Sequence, residues 1–260
     1  MRFLHPCAIA FILLANAPGQ TASQPRSIEE EAAVLEKGRL SAQRNALVRL
    51  GTNPEPAADK ILLAQLARQR AGKLPPDLLL ELFEATAKRD NAEIKALLAE
   101  REHTLAKSPD PVARFRECLK GGDGEAGRAI FTKEPKADCI RCHSIEGKGG
   151  QIGPDLTWLR HSVERMHILE SVIAPNSTIA AGFPSAALTL KDGTTLAGVI
   201  SAEGADELTL TTVPDGKKHA VKTADITERT PLPSPMPPHF SAALDKRAIR
   251  DLVEFLAAGD

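Results

Sequence analysis

The chain is 260 residues long, which at about 150 residues per domain leaves room for one large domain or two modest ones. Its 33 Lys and Arg balance 34 Asp and Glu for a formal charge of -1, so the basic excess that a binder of nucleic acid needs is missing. Apolar residues at 42% and charged residues at 26% exclude a disordered chain and a polytopic membrane protein, while aromatics at only 3% mean that a wide core must be filled by aliphatic side chains or by something other than protein. At the start of the chain, Arg2 precedes an apolar run from Cys7 to Ala15, too short to span a bilayer at about 20 residues. Ala15-Asn16-Ala17 then supplies the small residues of a cleavage site. The pattern reads as a secretory signal peptide over residues 1–22, which implies a periplasmic or otherwise exported protein with no membrane span after cleavage. Export removes Cys7 and leaves Cys118, Cys139 and Cys142, too few for a disulfide scaffold and an odd number in an oxidising space.

Ser27 and Glu30 have capping-box spacing and start a helix that ends near Gly38. Ala46, Leu47 and Leu50 recur at helical spacing and stop at Gly51; Asn53-Pro54 restarts a helix through Ile61, Leu62 and Leu66 that ends near Gly72. Pro75-Pro76-Asp77 opens another through Leu78, Leu82 and Phe83, and Asn91 caps one more through Ile94, Leu97 and Leu98. Residues 27–108 thus form a block of short antiparallel helices that resembles HEAT-type repeats. Stacked repeats need about three units to bury a core, so the block is expected to lean on the rest of the protein or on a partner.

Ser108-Pro109-Asp110-Pro111 marks a linker. Beyond it, Gly122-Asp123-Gly124 precedes a helix with Gly127 and Phe131 on one face, a Gly-rich loop runs from Gly147 to Gly153, and Val163, Met166, Leu169, Val172 and Ile173 form a helical stripe that ends before Pro175. The period then changes. Residues 187–190, 196–200, 208–212 and 220–221 alternate or are β-branched, and Asp192-Gly193, Glu203-Gly204 and Asp215-Gly216 separate them as hairpin turns. An antiparallel meander of four or five strands is expected at about residues 186–230, closing on itself as an accessory insertion. A Pro-rich extended segment, residues 231–238, and a final helix from Lys246 to Ala257 complete the chain.

The chemistry lies in Cys139-Ile140-Arg141-Cys142-His143, the C-x-x-C-H attachment signature of c-type haem. Two thiols one helical turn apart can each add to one of the two vinyl groups of a haem, and the next residue projects its imidazole toward the iron. A thioredoxin-type dithiol needs the pair at a strand-to-helix junction, and no strand is expected before Cys139. A zinc site needs four ligands; only Cys118 is left to complete the set, and adjacent Cys142 and His143 rarely reach one tetrahedral ion. A plain disulfide explains neither His143 nor the loop Gly153-Pro154-Asp155-Leu156. In that loop a Pro154 carbonyl bonded to Nδ1–H of His143 fixes the tautomer that presents Nε2 to iron. The sixth ligand should come from a distant loop free to approach the opposite haem face. Met236, between Pro235 and Pro237, meets this requirement, and Met166 on a helical core stripe meets it less well; His161, His167 and His239 are the remaining candidates.

Gly127 with Phe131, C-x-x-C-H, the Gly-Pro-Asp-Leu loop, the Met-Pro loop and the final helix together resemble a class I cytochrome c. The resemblance implies that the first and last helices of the domain cross at Gly127, with Phe131, Leu252 and Phe255 packed around the crossing. Residues 168–176, 188–193, 234–237 and 249–256 are more closely similar to the planctomycete-type C-x-x-C-H haem-binding domain, over about residues 119–258. That domain usually follows a propeller-type sugar dehydrogenase and helical repeats; no propeller is recognisable here, so no built-in substrate activity is implied. The fold expected is mainly α: a HEAT-like block over 27–108, then a cytochrome c-like domain over 119–260 with the β insertion. One covalent haem c is implied, its iron held by His143 and Met236.

His/Met ligation leaves no open iron position, so the expected role is electron transfer rather than catalysis, between redox partners such as an exported dehydrogenase. Two other readings stay open. One is an open-site haem enzyme or sensor, a peroxidase or gas-binding module, with Met236 displaced; the other is a scaffold whose helices and meander bind a partner while the haem is secondary. Trp158 and Arg160 are candidates for the haem propionates, and Lys133, Lys136 and Arg141 for a basic docking rim. Cys118 reads as a buried thiol, and Asn176-Ser177-Thr178 matches a glycosylation acceptor.

Overall fold

The computed structural model describes residues 26–258 apart from Pro214 and His239. The expected signal peptide, His239 and the side chain of Arg160 lie outside the described residues. Helix α1 (Ile28–Lys37) starts on the expected capping box: the Ser27 hydroxyl accepts from Glu30 N–H at 3.2 Å and the Glu30 carboxylate from Ser27 N–H at 2.8 Å. Helix α2 (Leu40–Thr52) ends one residue beyond Gly51, where the sequence suggested its stop. A Cβ on Gly51 would lie 2.7 Å from Cα of Ala85, so this glycine near the helix end also marks a close helix contact. Helix α3 (Pro56–Arg70) begins on its proline, and a 3₁₀ turn (Pro76–Leu78) leads into α4 (Leu79–Ala87). Helix α5 (Ala92–Ala106) is capped by Asn91, whose Oδ1 accepts from the N–H groups of Glu93 and Ile94. Leu35, Leu47, Leu50, Leu62, Leu78 and Leu82 form the core of this block.

The Pro-rich corner after α5 is ordered. Asp110 accepts from Val112 N–H at 2.9 Å and from Arg116 at 2.7 Å, which turns the chain into a 3₁₀ segment (Ala113–Cys118). Helix α6 (Gly124–Lys133) follows its Asp123 cap; then come α7 (Cys139–Cys142), a minimal hairpin of β1 (Ser144–Ile145) and β2 (Lys148–Gly149), α8 (Leu159–Ser162) and α9 (Arg165–Ile173). Five strands come next: β3 (Ser185–Leu190), β4 (Thr195–Glu203), β5 (Glu207–Thr212), β6 (Lys218–Lys222) and β7 (Ile226–Leu232). The chain closes with α10 (Phe240–Ala243) and α11 (Lys246–Ala258). Helices α6 and α11 cross as expected. A Cβ on Gly127 would lie 2.0 Å from the Asp251 carbonyl oxygen, and the Phe131 and Phe255 rings sit 5.8 Å apart beside the contact.

The sheet is antiparallel throughout, in the order β6-β5-β4-β3-β7. Its first strand pairs with its last, and a 3₁₀ turn (Thr223–Asp225) links β6 to β7. Ala186, Leu188, Ile200, Leu208, Leu210 and Val221 bury against one another, so the sheet curls around a core of its own. The opposite face is covered too: the cross-strand partners Val199 and Thr211 are 2% and 1% exposed. The meander therefore has two buried faces where a self-contained insertion needs one. It also extends to Leu232, because Pro231 lies on an edge strand where its missing N–H costs no ladder bond. No helix among the described residues is long and apolar enough to cross a membrane.

Candidate functional site

Asp138 adopts a left-handed conformation, φ 44°, and turns the chain into α7. Cys139 and Cys142 then stand one turn apart, and the helix ends where His143 N–H donates to the Cys139 carbonyl at 2.9 Å. The Gly-rich loop folds back beneath this turn: Gly150 N–H donates to Ile140 O at 2.8 Å and Gly153 N–H to Cys142 O at 2.9 Å. Nδ1 of His143 lies 2.9 Å from the Pro154 carbonyl. A carbonyl can only accept, so Nδ1 carries the proton and Nε2 keeps its lone pair. Gly153 presses on the same ring, since a Cβ there would lie 2.5 Å from Cε1 of His143. Asp155 anchors the loop from below: it accepts from the Ser144 hydroxyl at 2.5 Å and from Thr157 N–H at 2.8 Å, and these bonds, the Ser144 hydroxyl first, hold its carboxyl below the usual range.

His143, Cys139 and Cys142 face a cavity of about 580 Å³ that Met236 lines as well. Helices α6, α9 and α11 supply its apolar walls through Phe131, Ile168, Val172, Leu252 and Leu256. The segment after α9, strand β4 and the turn after β5 add Phe183, Val199 and Val213. Burial pushes the Cys139 thiol up to about 11 and raises that of Cys142, so both are protonated at neutral pH. Burial also depresses the His143 pKa, against the opposing bond to Pro154, which keeps the imidazole neutral. The Met236 loop leaves β7 at Leu232, which pairs with Ser185 of β3. Two side-chain bonds then shape it: Ser234 N–H donates to Asn176 Oδ1 at 2.8 Å, and Met236 N–H to Ser234 Oγ at 3.2 Å.

The sequence model of the family described as cytochrome c matches residues 124–260, more than half of the chain. The chain belongs to the cytochrome c family. A comparison with curated proteins gives no match. The cytochrome c domain carries covalently attached haem c with its iron. The residues present fit that group. An apolar cavity of ligand size holds two thiols one helical turn apart, an imidazole with its outer nitrogen engaged and a thioether. Haem iron, when bound, cycles between ferric and ferrous states, and its axial ligands and surroundings set the potential.

Of the residues singled out in the sequence, Cys139, Cys142, His143, Pro154 and Met236 come together around this one cavity. His167 lines it too, but Met166 packs into the helical core and the His161 ring lies tilted beside Trp158 at 6.0 Å; neither of the latter two lines the cavity. Trp158 is 70% exposed and stands outside the cavity lining. Lys136 and Arg141 are at the cavity, whereas Lys133 is not. Arg141 lies 3.8 Å from Asp138, so the rim there carries both signs of charge. Cys118 is fully buried, its thiol 3.3 Å from the Lys246 carbonyl, and burial pushes it up to about 12, which makes it inert. Sequence reasoning missed Val199, Val213 and Asn176. The run Gly198-Val199-Ile200 breaks the alternation of β4, and that break was the available sign of a strand covered on both faces.

Proposed function

We propose that the protein is an exported electron carrier in which one haem c is bonded to Cys139 and Cys142 and held by His143 and Met236. The observation that carries this reading is the placement of Nε2 of His143 and the Met236 side chain on the same apolar cavity, with Nδ1 already committed to Pro154. Two strong-field positions filled by the protein leave none for substrate, which favours electron transfer over oxygen or peroxide chemistry. The resemblance to the planctomycete-type domain supports an exported dehydrogenase as the electron donor. The helices of residues 27–108 are then a HEAT-like support for the haem domain, and the leader directs the chain to the periplasm.

Met236→Ala tests the reading. A thioether favours ferrous iron, so the variant should have a markedly lower potential, within a range of about 0.8 V open to haem proteins. It should also lose the weak far-red sulfur-to-iron band of the ferric state and bind carbon monoxide when reduced. Retention of the wild-type potential with carbon monoxide still excluded sinks the assignment. Carbon monoxide binding by the unaltered protein would instead support the open-site enzyme or sensor.

A further inference from the structure

We propose that Asn176 is the positioning residue of the Met236 loop; this deepens the reading just given and rests on Met236 as the iron ligand. Asn176 follows α9, whose Ile168 and Val172 form one cavity wall, and buried Pro175 fixes its backbone against the same cavity. Its side-chain carbonyl crosses 58 residues of sequence to accept the Ser234 N–H at 2.8 Å, and the Ser234 hydroxyl in turn accepts the Met236 N–H at 3.2 Å. This relay runs from a cavity wall to the residue that carries the sulfur. Met236 also packs against the core, and the flanking anchors are farther off: the Leu232–Ser185 pairing lies four residues before the methionine, and buried Phe240 lies four residues after it.

Between those ties, residues 233–238 include four prolines, at 233, 235, 237 and 238, which have no N–H to donate. Ser234 and Met236 hold the two N–H groups available before Pro237, and both are spent on this relay. Asn176 therefore biases the loop toward the conformation in which the sulfur is at the cavity, without touching the haem itself. A ligand's orientation depends on such outer partners, and their removal weakens ligation.

Imidazole titration of the ferric holo-protein reads the loop directly, because imidazole competes with the thioether for iron. Asn176→Ala removes one exposed bond, so apparent imidazole affinity should rise about five-fold. Asn176→Asp, which keeps the acceptor oxygen, should stay near the wild type. In a Met236→Ala background the further change Asn176→Ala should do nothing, since the competing ligand is gone. If Met236→Ala gains imidazole affinity and Asn176→Ala does not, the proposal fails while the ligand assignment survives. A lowered melting temperature for Asn176→Ala at unchanged imidazole affinity also overturns it, by making the residue merely structural. If Met236→Ala binds imidazole no better than the unaltered protein, the ligand assignment fails and takes the proposal with it.

Discussion

Gly153 shows how little tolerance the site has for one added carbon. A Cβ at this position would sit 2.5 Å from Cε1 and 2.9 Å from Nδ1 of His143, so either the ring or the loop must move. Overpacking of this kind costs about 1–3 kcal/mol. Gly153→Ala should lower the unfolding free energy by that order in a denaturant titration. It should also shift the haem potential, because the bond from Nδ1 to the Pro154 carbonyl sets the basicity of the ligating nitrogen. The Pro154–His143 pair was legible in the sequence because only a short loop separates its partners. The bond from Asn176 to Ser234 was not, since no local spacing rule connects positions so far apart.

Among the elements, the sheet makes contacts that its sequence pattern did not indicate. Its strands were readable from alternation and turn residues, and β3, β4, β5 and β6 lie where those signals put them. Alternation names two faces and does not say what covers the second one. Here Val199 and Val213 line the cavity, Lys218 reaches Gln151 of the Gly-rich loop at 3.0 Å, and β7 runs directly into the Met236 loop. These contacts favour a sheet that helps to build the haem site over the accessory insertion expected from the sequence. Replacing residues 186–230 with a short Gly-Ser linker should abolish the far-red band and open the reduced haem to carbon monoxide. An unchanged spectrum would restore the accessory role.

Across the whole molecule, the helical block and the haem domain meet through buried charge. Glu81 of α4 and Arg250 of α11 pair at 2.8 Å with side chains 3% and 7% exposed. Arg247 pairs with Glu84 beside them, and Glu117 receives both Arg101 of α5 and Lys246 of α11, at 2.8 and 2.7 Å. The block leans on the haem domain, one of the two outcomes expected for so few helices. Helix α11 is the shared element, since its Leu252 and Leu256 line the cavity. Breaking a buried pair leaves one charge uncompensated at a cost of about 3–5 kcal/mol. Glu81→Ala should lose stability of that order in urea. The double variant Glu81→Leu with Arg250→Met should recover most of it, as both charges are then gone. Equal loss in the single and double variants would show that the pair holds the interface by shape and not by charge compensation.

The C-x-x-C-H turn, the Pro154 carbonyl and the capped helices were determined by the sequence alone, because each depends on residues a few positions apart or on a pattern with a fixed period. Chain-local geometry is transferable, so residue type and spacing suffice. Tertiary structure alone decided that Gly51 packs against Ala85, that the second face of the sheet walls the cavity, that Asn176 ties down the Met236 loop, and that α11 joins two cores. Each of these depends on which distant surface arrives opposite a given residue. Burial, desolvation and the room for a side chain are properties of that arrival, and a one-dimensional pattern does not contain them.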